Sequence, residues 1–276
     1  METAPSRPFA MASIVYSTFS NCAAYSGGAI FASNEGNGSA ILAVHDTSIL
    51  YCTSETEVGA IVNRYDTFTG TGLDLRGNKA RTNGSAIVSG TLESTKVFRT
   101  TLESVLVAEN GYDNNPAQST VEVYGRATIS NATIANNRDE CGLYSTASAF
   151  SVADLILTNS IVWGNGAINV SADGTFEAHN TVVKGGSGVT SGEIWDSELD
   201  EAPYDRYYVP KSNWQTEVGR RVVDTGDNSF VTIYNDAAGE TRIVNGTVDL
   251  GALELQSSSN AVEDAFAELF IDGYFD

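Results

Sequence analysis

Asn131-Ala132-Thr133-Ile134-Ala135-Asn136-Asn137 returns as Asn159-Ser160-Ile161-Val162-Trp163-Gly164-Asn165, and again as Asn180-Thr181-Val182-Val183-Lys184-Gly185-Gly186. Within each copy the pattern has a two-residue period, that of a strand whose side chains alternate between faces. Each copy ends in Asn or Gly, which best tolerate the left-handed backbone of a sharp corner. Looser copies centre on Phe19, Ile49, Leu75 and Leu106. The apolar column is then Phe19, Ile49, Leu75, Leu106, Ile134, Val162 and Val183, with gaps of 30, 26, 31, 28, 28 and 21 residues. Such gaps are too long for hairpins. They suit one circuit of a solenoid, each new strand lying about 4.8 Å above the last so that like stacks on like.

Two positions before the apolar column stand Ser17, Thr47, Leu73, Ser104, Ala132, Ser160 and Thr181, nearly all small. Two positions after it stand Asn21, Tyr51, Gly77, Ala108, Asn136, Gly164 and Gly185, the expected corner. A second strand follows the first three copies as Gly28-Ala29-Ile30-Phe31, Gly59-Ala60-Ile61-Val62 and Ser85-Ala86-Ile87-Val88, echoed later by Gly166-Ala167-Ile168. Helical periodicity between strands is missing until the end of the chain, which argues against a Rossmann or barrel enzyme. A β-sandwich is the main alternative, but its strands need no column in phase. The expected fold is all-β: a right-handed parallel β-helix of about seven coils over residues 1–186, an irregular extension and closing module over 187–254, and a linker with an acidic amphipathic tail over 255–276.

Composition narrows the function. The 276 residues carry a net charge of −20, with 15 Lys and Arg against 35 Asp and Glu. Such a chain repels nucleic-acid phosphate and anionic membrane surfaces. No apolar run reaches membrane-spanning length. The first residues, interrupted by Pro5 and Pro8, do not read as a signal peptide; an outside location would need an upstream region, a different start or another export route. Cys22 and Cys52 fall at the same repeat position on adjacent coils, as a rung-to-rung disulfide or as stacked free thiols. Cys141 reads as a small buried residue without a partner.

The repeat breaks over residues 187–217, where Trp195, Tyr204, Tyr207, Tyr208 and Trp214 stand beside many acids. These rings are either a stacking platform for sugar or the apolar side of an extension packed on the flank. Near the end, Asn260 and Glu263 mark the start of an amphipathic helix through Ala261, Val262, Ala265, Phe266, Leu269 and Phe270. That helix would cover an end of the solenoid or bind a partner.

Three segments carry a resemblance. Phe19-Ser20-Asn21 with Gly27-Gly28-Ala29-Ile30 resembles the paired motifs of the polymorphic outer-membrane protein repeats. Asn159 to Asn165 resembles a coil of bacterial surface β-helix proteins. Val223-Asp224-Thr225-Gly226-Asp227-Asn228, followed by Thr241 to Glu254 (T-R-I-V-N-G-T-V-D-L-G-A-L-E), is similar to the closing module of choice-of-anchor-Q-type β-helix proteins. The resemblance covers about residues 12–254 and implies a secreted or cell-surface setting in bacteria, without a shared catalytic residue to carry over. On it, the closing module would seal the last edge of the solenoid, with Asp224 and Asp249 holding turns. Asp224, Asp227 and Asn228 also gather hard oxygen ligands, which makes calcium the one metal to test there.

Catalysis was sought because parallel β-helices include polysaccharide lyases and hydrolases. The N-T-D, D-D, G-H-G and R-I-K segments of polygalacturonase-type hydrolases are missing from the sequence. A lyase needs a base beside a calcium–acid cluster, yet the four Lys are scattered and Arg220-Arg221 sits in the closing module. His45 and His179 share a column without an evident nucleophile nearby. The expected function is therefore a non-catalytic extracellular or cell-surface domain for adhesion, display or carbohydrate contact, with polysaccharide or another surface protein as partner and no catalytic residue assigned. The alternative is a carbohydrate-active enzyme whose acid pair the sequence does not reveal. A fragment of a larger surface protein is compatible with the first reading.

Overall fold

The computed structural model describes residues 9–33, 39–92, 96–112, 117–185, 191–197, 201–215 and 219–256. Every pairing between its strands is parallel. The largest sheet runs Phe9–Val15, Ser39–Leu50, Thr67–Arg76, Arg99–Ala108, Arg126–Ala135, Asp154–Thr158 with Ile161–Trp163, Thr175–Lys184 and Ser191–Ser197; Thr18–Ser20 also pairs with Ser39–Leu50. A second sheet runs Ile30–Ser33, Ile61–Arg64, Ile87–Ser89, Ser119–Tyr124, Cys141–Thr146 and Ile168–Ala172. Ala23–Ala24 and Thr53–Ser54 form a short third one. From Phe9 to Lys184 the chain alternates between the two main sheets; Ser191–Ser197 then adds to the first sheet again. Among the described residues the sole helical element is a 3-10 turn at Asn228–Phe230. The amphipathic segment expected after residue 256 lies outside the described residues, as does Met1 to Pro8.

One apolar core fills the space between the sheets. Ile49, Leu75, Leu102, Ile134, Leu157 and Val183 from the first sheet meet Ile61, Ile87, Val121 and Leu143 from the second. The register links Phe19 to Ile49, Ile49 to Leu75, Leu75 to Val107, Val107 to Ile134, Ile134 to Val162 and Val162 to Val183. The column expected from sequence holds at six positions and is off by one at the fourth, where Val107 replaces Leu106. Its neighbours shift with it: Val105 takes the inward place assigned to Ser104, and Glu109 the corner assigned to Ala108. The late echo Gly166-Ala167-Ile168 is also out of phase. Val170 pairs with Leu143, whereas Ile168 pairs with Cys141 and is exposed.

Two corner columns flank the stacked strands, all with left-handed backbone. The first is Tyr16, Asp46, Gly72, Ser104, Asn131, Asn159 and Asn180, and the second is Asn21, Tyr51, Gly77, Glu109, Asn136, Gly164 and Gly185. One residue beyond the second corner, buried asparagines stack from repeat to repeat. Asn110 Nδ2 donates to Asn137 Oδ1 at 2.9 Å and Asn137 Nδ2 to Asn165 Oδ1 at 2.7 Å. Each Nδ2 also reaches a carbonyl: Asn78 that of Ile49, Asn110 that of Leu75, Asn137 that of Val107. Each Oδ1 takes the backbone N–H of the preceding repeat's equivalent residue, as Asn137 does from Asn110 at 3.0 Å. Corner groups that bend away from the sheet ladder thereby stay paired, as buried backbone must.

Candidate functional site

The face of the first sheet turned away from the core changes character along the stack. One outward column runs Thr18, Ser48, Asp74, Leu106, Thr133, Ile161 and Val182. The next runs Ser20, Leu50, Arg76, Ala108, Ala135 and Trp163. From the fourth repeat onward these positions are nearly all apolar and buried, because the extension and closing module lie over them. Leu106, Ala108, Ala135, Ile161, Trp163 and Val182 form one cluster with Tyr204, Tyr208, Trp214, Val222, Leu250 and Leu253.

The rings singled out in the sequence are mostly on the underside of that cover. Tyr204, Tyr208 and Trp214 are 3–4% exposed. Trp214 meets Trp163 edge-on at 5.7 Å between ring centres. The Tyr204 hydroxyl donates to Asn136 Oδ1 at 3.1 Å and the Tyr208 hydroxyl to Glu109 Oε1 at 2.8 Å, so the corner column anchors the extension. Burial pushes both phenols up. Tyr207 is half-buried beneath the Arg206 guanidinium, 4.6 Å from its ring centre. Trp195 sits on Ser191–Ser197 in register with Val182; its side chain lies outside the described part. Tyr204, Tyr208 and Trp214 pack on the sheet and have no open face for a sugar.

The closing signature lies over a face of the first sheet. Gly251 N donates to the Asn159 carbonyl at 2.8 Å and Ala252 N to Thr133 Oγ1 at 2.9 Å. Gly251, at φ +98°, comes so near the sheet that a Cβ there would lie 2.6 Å from Thr133 Oγ1. Arg242 is fully buried and donates from Nη2 to the carbonyls of Asp249 and Gly251. Asp249 accepts from the backbone of Asp224 and Leu255, and Glu254 from that of Val244 and Asp249. Burial raises Asp249 to about 6, and burial with the neighbouring Asp249 raises Glu254 to about 7. Asp249 thus holds a turn as expected, whereas Asp224 contributes a left-handed backbone and a donor N–H.

The oxygens considered for calcium are engaged in the same joint. Asp227 Oδ1 accepts from Ser229 N, which lowers its carboxyl, and Asn228 Oδ1 accepts from Val248 N. Among the described residues no group of three His, Cys, Asp or Glu gathers as a metal site. His45 bonds Thr71 at 2.6 Å; His179 bonds Glu177 at 2.7 Å and stacks on Phe230. Glu103, in the same column, is buried and accepts from the Thr232 backbone N–H and hydroxyl.

On the first three repeats the same face lies outside this cover. Its floor is Thr18, Ser20, Ser48, Leu50 and the Asp74–Arg76 ion pair, joined at 2.7 and 2.5 Å. At three strands about 4.8 Å apart and three residues of about 3.3 Å each, the strip measures roughly 10 Å by 10 Å. Tyrosines stand at its corners. Tyr16 is 83% exposed at φ 47° and Tyr51 is 58% exposed at φ 56°. A bulky residue is a genuine outlier in left-handed backbone, and apart from Glu109 the other positions of these columns hold Asn, Asp, Ser or Gly. Tyr51 leans over Gly77, where a Cβ would meet its ring at 2.4 Å. Past the Tyr51 corner lies a groove of about 370 Å³ lined by Tyr25, Thr53, Ser54, Glu55, Arg81 and Tyr112. Lys79 Nζ sits 5.5 Å from the Tyr112 ring centre. The two surfaces present exposed rings, hydroxyls and both signs of charge, which suits the faces and hydroxyl groups of sugars.

The sequence reading missed this site. The available signal was a tyrosine at a corner position mostly held by Asn, Asp, Ser or Gly.

Comparison with protein-family models, curated proteins and solved structures found no match in any of the three.

Proposed function

We propose that this chain is a right-handed parallel β-helix of the bacterial surface type, working outside the cell as a non-catalytic domain that contacts carbohydrate. The fold reading is supported by the alternation of the chain between two parallel sheets with one shared core. The type rests on the sequence resemblance of residues 12–254 to choice-of-anchor-Q and polymorphic outer-membrane protein repeats. The function rests on one observation: Tyr16 and Tyr51 are held exposed in strained corner backbone beside a polar strip. Strain of that kind costs about 1–3 kcal/mol and gathers at functional sites. The Tyr25–Tyr112 groove extends the same surface.

The test is a panel of soluble polysaccharides measured by affinity electrophoresis and calorimetry. Retention on at least one glycan, weakened by Tyr16→Asn and Tyr51→Asn and untouched by Tyr234→Ala, supports the reading. Equal retention by the doubly substituted chain, or retention on none, rejects it.

A second reading, glycan hydrolysis, draws on Glu122. Its carboxyl is buried, accepts from the Tyr124 hydroxyl at 2.5 Å, and is pushed up by burial. Glu57, paired with Arg64 at 2.6 Å, adds to that push. A carboxyl held protonated by burial is the form a hydrolase needs as its general acid. Release of reducing sugar from the same panel, lost in Glu122→Gln, would favour this reading over the first.

A further inference from the structure

Cys22 and Cys52 occupy the place that Asn78, Asn110, Asn137 and Asn165 fill on later repeats. Cys52 N donates to Asn78 Oδ1 at 2.9 Å, as Asn78 N does to Asn110 Oδ1 at 2.8 Å. The residues around the two cysteines are in register on both sides, Ser20 with Leu50 and Ala23 with Thr53. Thr53 N donates to the Cys22 carbonyl at 2.8 Å. Their Cα atoms are therefore one strand spacing apart, about 4.8 Å, within the 4.4–6.8 Å that a disulfide spans. Both thiols turn the same way. Cys22 Sγ points to the Ser20 carbonyl at 3.8 Å and Cys52 Sγ to that of Leu50 at 3.6 Å.

Neither thiol takes part in the amide ladder, so joining them breaks only weak sulfur contacts. Stacked Cβ atoms must draw about 1 Å nearer to reach disulfide geometry. The outermost repeat can supply that movement, since Cys22 is half-buried and Asn21 exposed. Cys141 is on the second sheet, buried, with Sγ on the Leu143 carbonyl at 3.2 Å.

We infer that Cys22 and Cys52 are a modification site, closing as a disulfide between adjacent repeats on exchange with an oxidised low-molecular-weight disulfide such as glutathione disulfide. The more accessible Cys22 thiolate attacks one sulfur of the oxidant. Its S–S bond breaks, and the first glutathione leaves as a thiolate that takes up a proton. Cys52, after losing its proton to water, attacks Cys22 Sγ and expels the second glutathione. Two protein thiols lose two electrons and two protons, and one glutathione disulfide becomes two glutathione thiols. Burial holds the Cys52 thiol up at about 11, so the second step is the slower one and speeds with alkaline pH. The bond pins the first repeat, with Tyr16 and Thr18, onto the second.

The experiment equilibrates the full chain with a glutathione series, quenches in acid, denatures, and counts thiols by alkylation and peptide mapping. The reduced chain has three thiols. The expected oxidised product keeps one, on Cys141, with a Cys22–Cys52 linked peptide. Closing that loop should shift the unfolding equilibrium about 10²–10³-fold toward the folded state. Cys52→Ser should instead stop at a glutathione adduct on Cys22. Three thiols persisting in excess glutathione disulfide, a stable adduct on Cys22 in the unsubstituted chain, or a link to Cys141 would each overturn the inference. The peptide map needs no variant to fold and no glycan to bind, so it stands or falls separately from the carbohydrate reading.

Discussion

Replacing Tyr16 by Asn should weaken glycan binding while leaving the fold as stable as before, or more so. Tyr16 is 83% exposed, so only about one-sixth of its roughly 200 Å² is covered. Some 35 Å² at about 25 cal/mol per Å² is worth at most ~1 kcal/mol. Against that stands the left-handed backbone, roughly 1–2 kcal/mol for an ordinary L-residue and much less for Asn. The same column uses Asn at 131, 159 and 180. The net change in stability is thus from zero to about 1 kcal/mol in favour of the variant. Losing one stacked ring costs a ligand about 1 kcal/mol, or roughly fivefold in affinity. Tyr51→Asn differs in an instructive way: it is 58% exposed and rests on Gly77, so about 2 kcal/mol of covered ring offsets the relieved strain. Urea unfolding followed by far-ultraviolet circular dichroism gives the first quantity and calorimetry with the retained glycan gives the second. A Tyr16→Asn chain that unfolds at clearly lower urea, with undiminished binding, would show that the tyrosine serves packing and would refute the reasoning.

Three further outcomes follow from the same geometry. Asn137→Ala removes the acceptor of the buried Asn110 N–H and the donor to the Val107 carbonyl, at about 3–5 kcal/mol for two buried orphans and their lost bonds; a urea midpoint within error of the parent would contradict the ladder's structural role. Gly251→Ala places a Cβ 2.6 Å from Thr133 Oγ1 and 3.1 Å from Ile161 Cδ1, so the cover should lift from the sheet, seen as red-shifted tryptophan emission and proteolysis within 201–256 with the strand signal retained. Burial raises Asp139 and Asp249 to about 6, and burial with the neighbouring Asp249 raises Glu254 to about 7, all above the roughly 3.9–4.3 of an unfolded chain. Between about pH 4 and 7 the folded state therefore holds protons the unfolded chain has released, so the stability these groups lend is complete below pH 4 and lost as pH rises through 6 to 7. The melting temperature should fall over that window in 1 M salt, where repulsion from the net charge is screened; a flat or rising profile would count against it.

The inward column was legible because it has to be: a position that faces the core on every circuit is apolar on every circuit. Six of its seven members are placed correctly by sequence alone. The fourth slipped because Val105-Leu106-Val107 is apolar throughout, and period-two reading cannot choose between its faces. Leu106 is apolar for a different reason, the cover laid over it from residues 201–253. Contact with a segment about a hundred residues away leaves no periodic trace. The same blindness misdirected the search for a site. Rings beside acids at 195–214 read better as packing than as a ligand platform, but which face they cover is a tertiary fact. Tyr51 was visible in the corner column but became informative only with its left-handed φ.

The same residues bear on why the proposed binding surface is assigned to the first repeats. A stacked parallel sheet buries one face in its core and offers the other to whatever comes. On repeats four to seven the chain spends that face on itself, with Leu106, Ile161, Trp163 and Val182 under Tyr204, Tyr208 and Trp214. On repeats one to three the same columns carry Thr18, Ser48, Asp74, Ser20, Leu50 and Arg76, all but Leu50 suited to water. Large rings at the rim of such a strip gain nothing from hydration, and left-handed backbone penalises Tyr16 and Tyr51 further. At Tyr51 packing on Gly77 offsets that penalty, but at Tyr16 neither water nor packing does; the proposed ligand, with apolar faces and hydroxyl edges, would give Tyr16 its use. If these repeats bound nothing, Asn would serve better at the Tyr16 corner, and Tyr16→Asn should improve the protein at no cost to any binding.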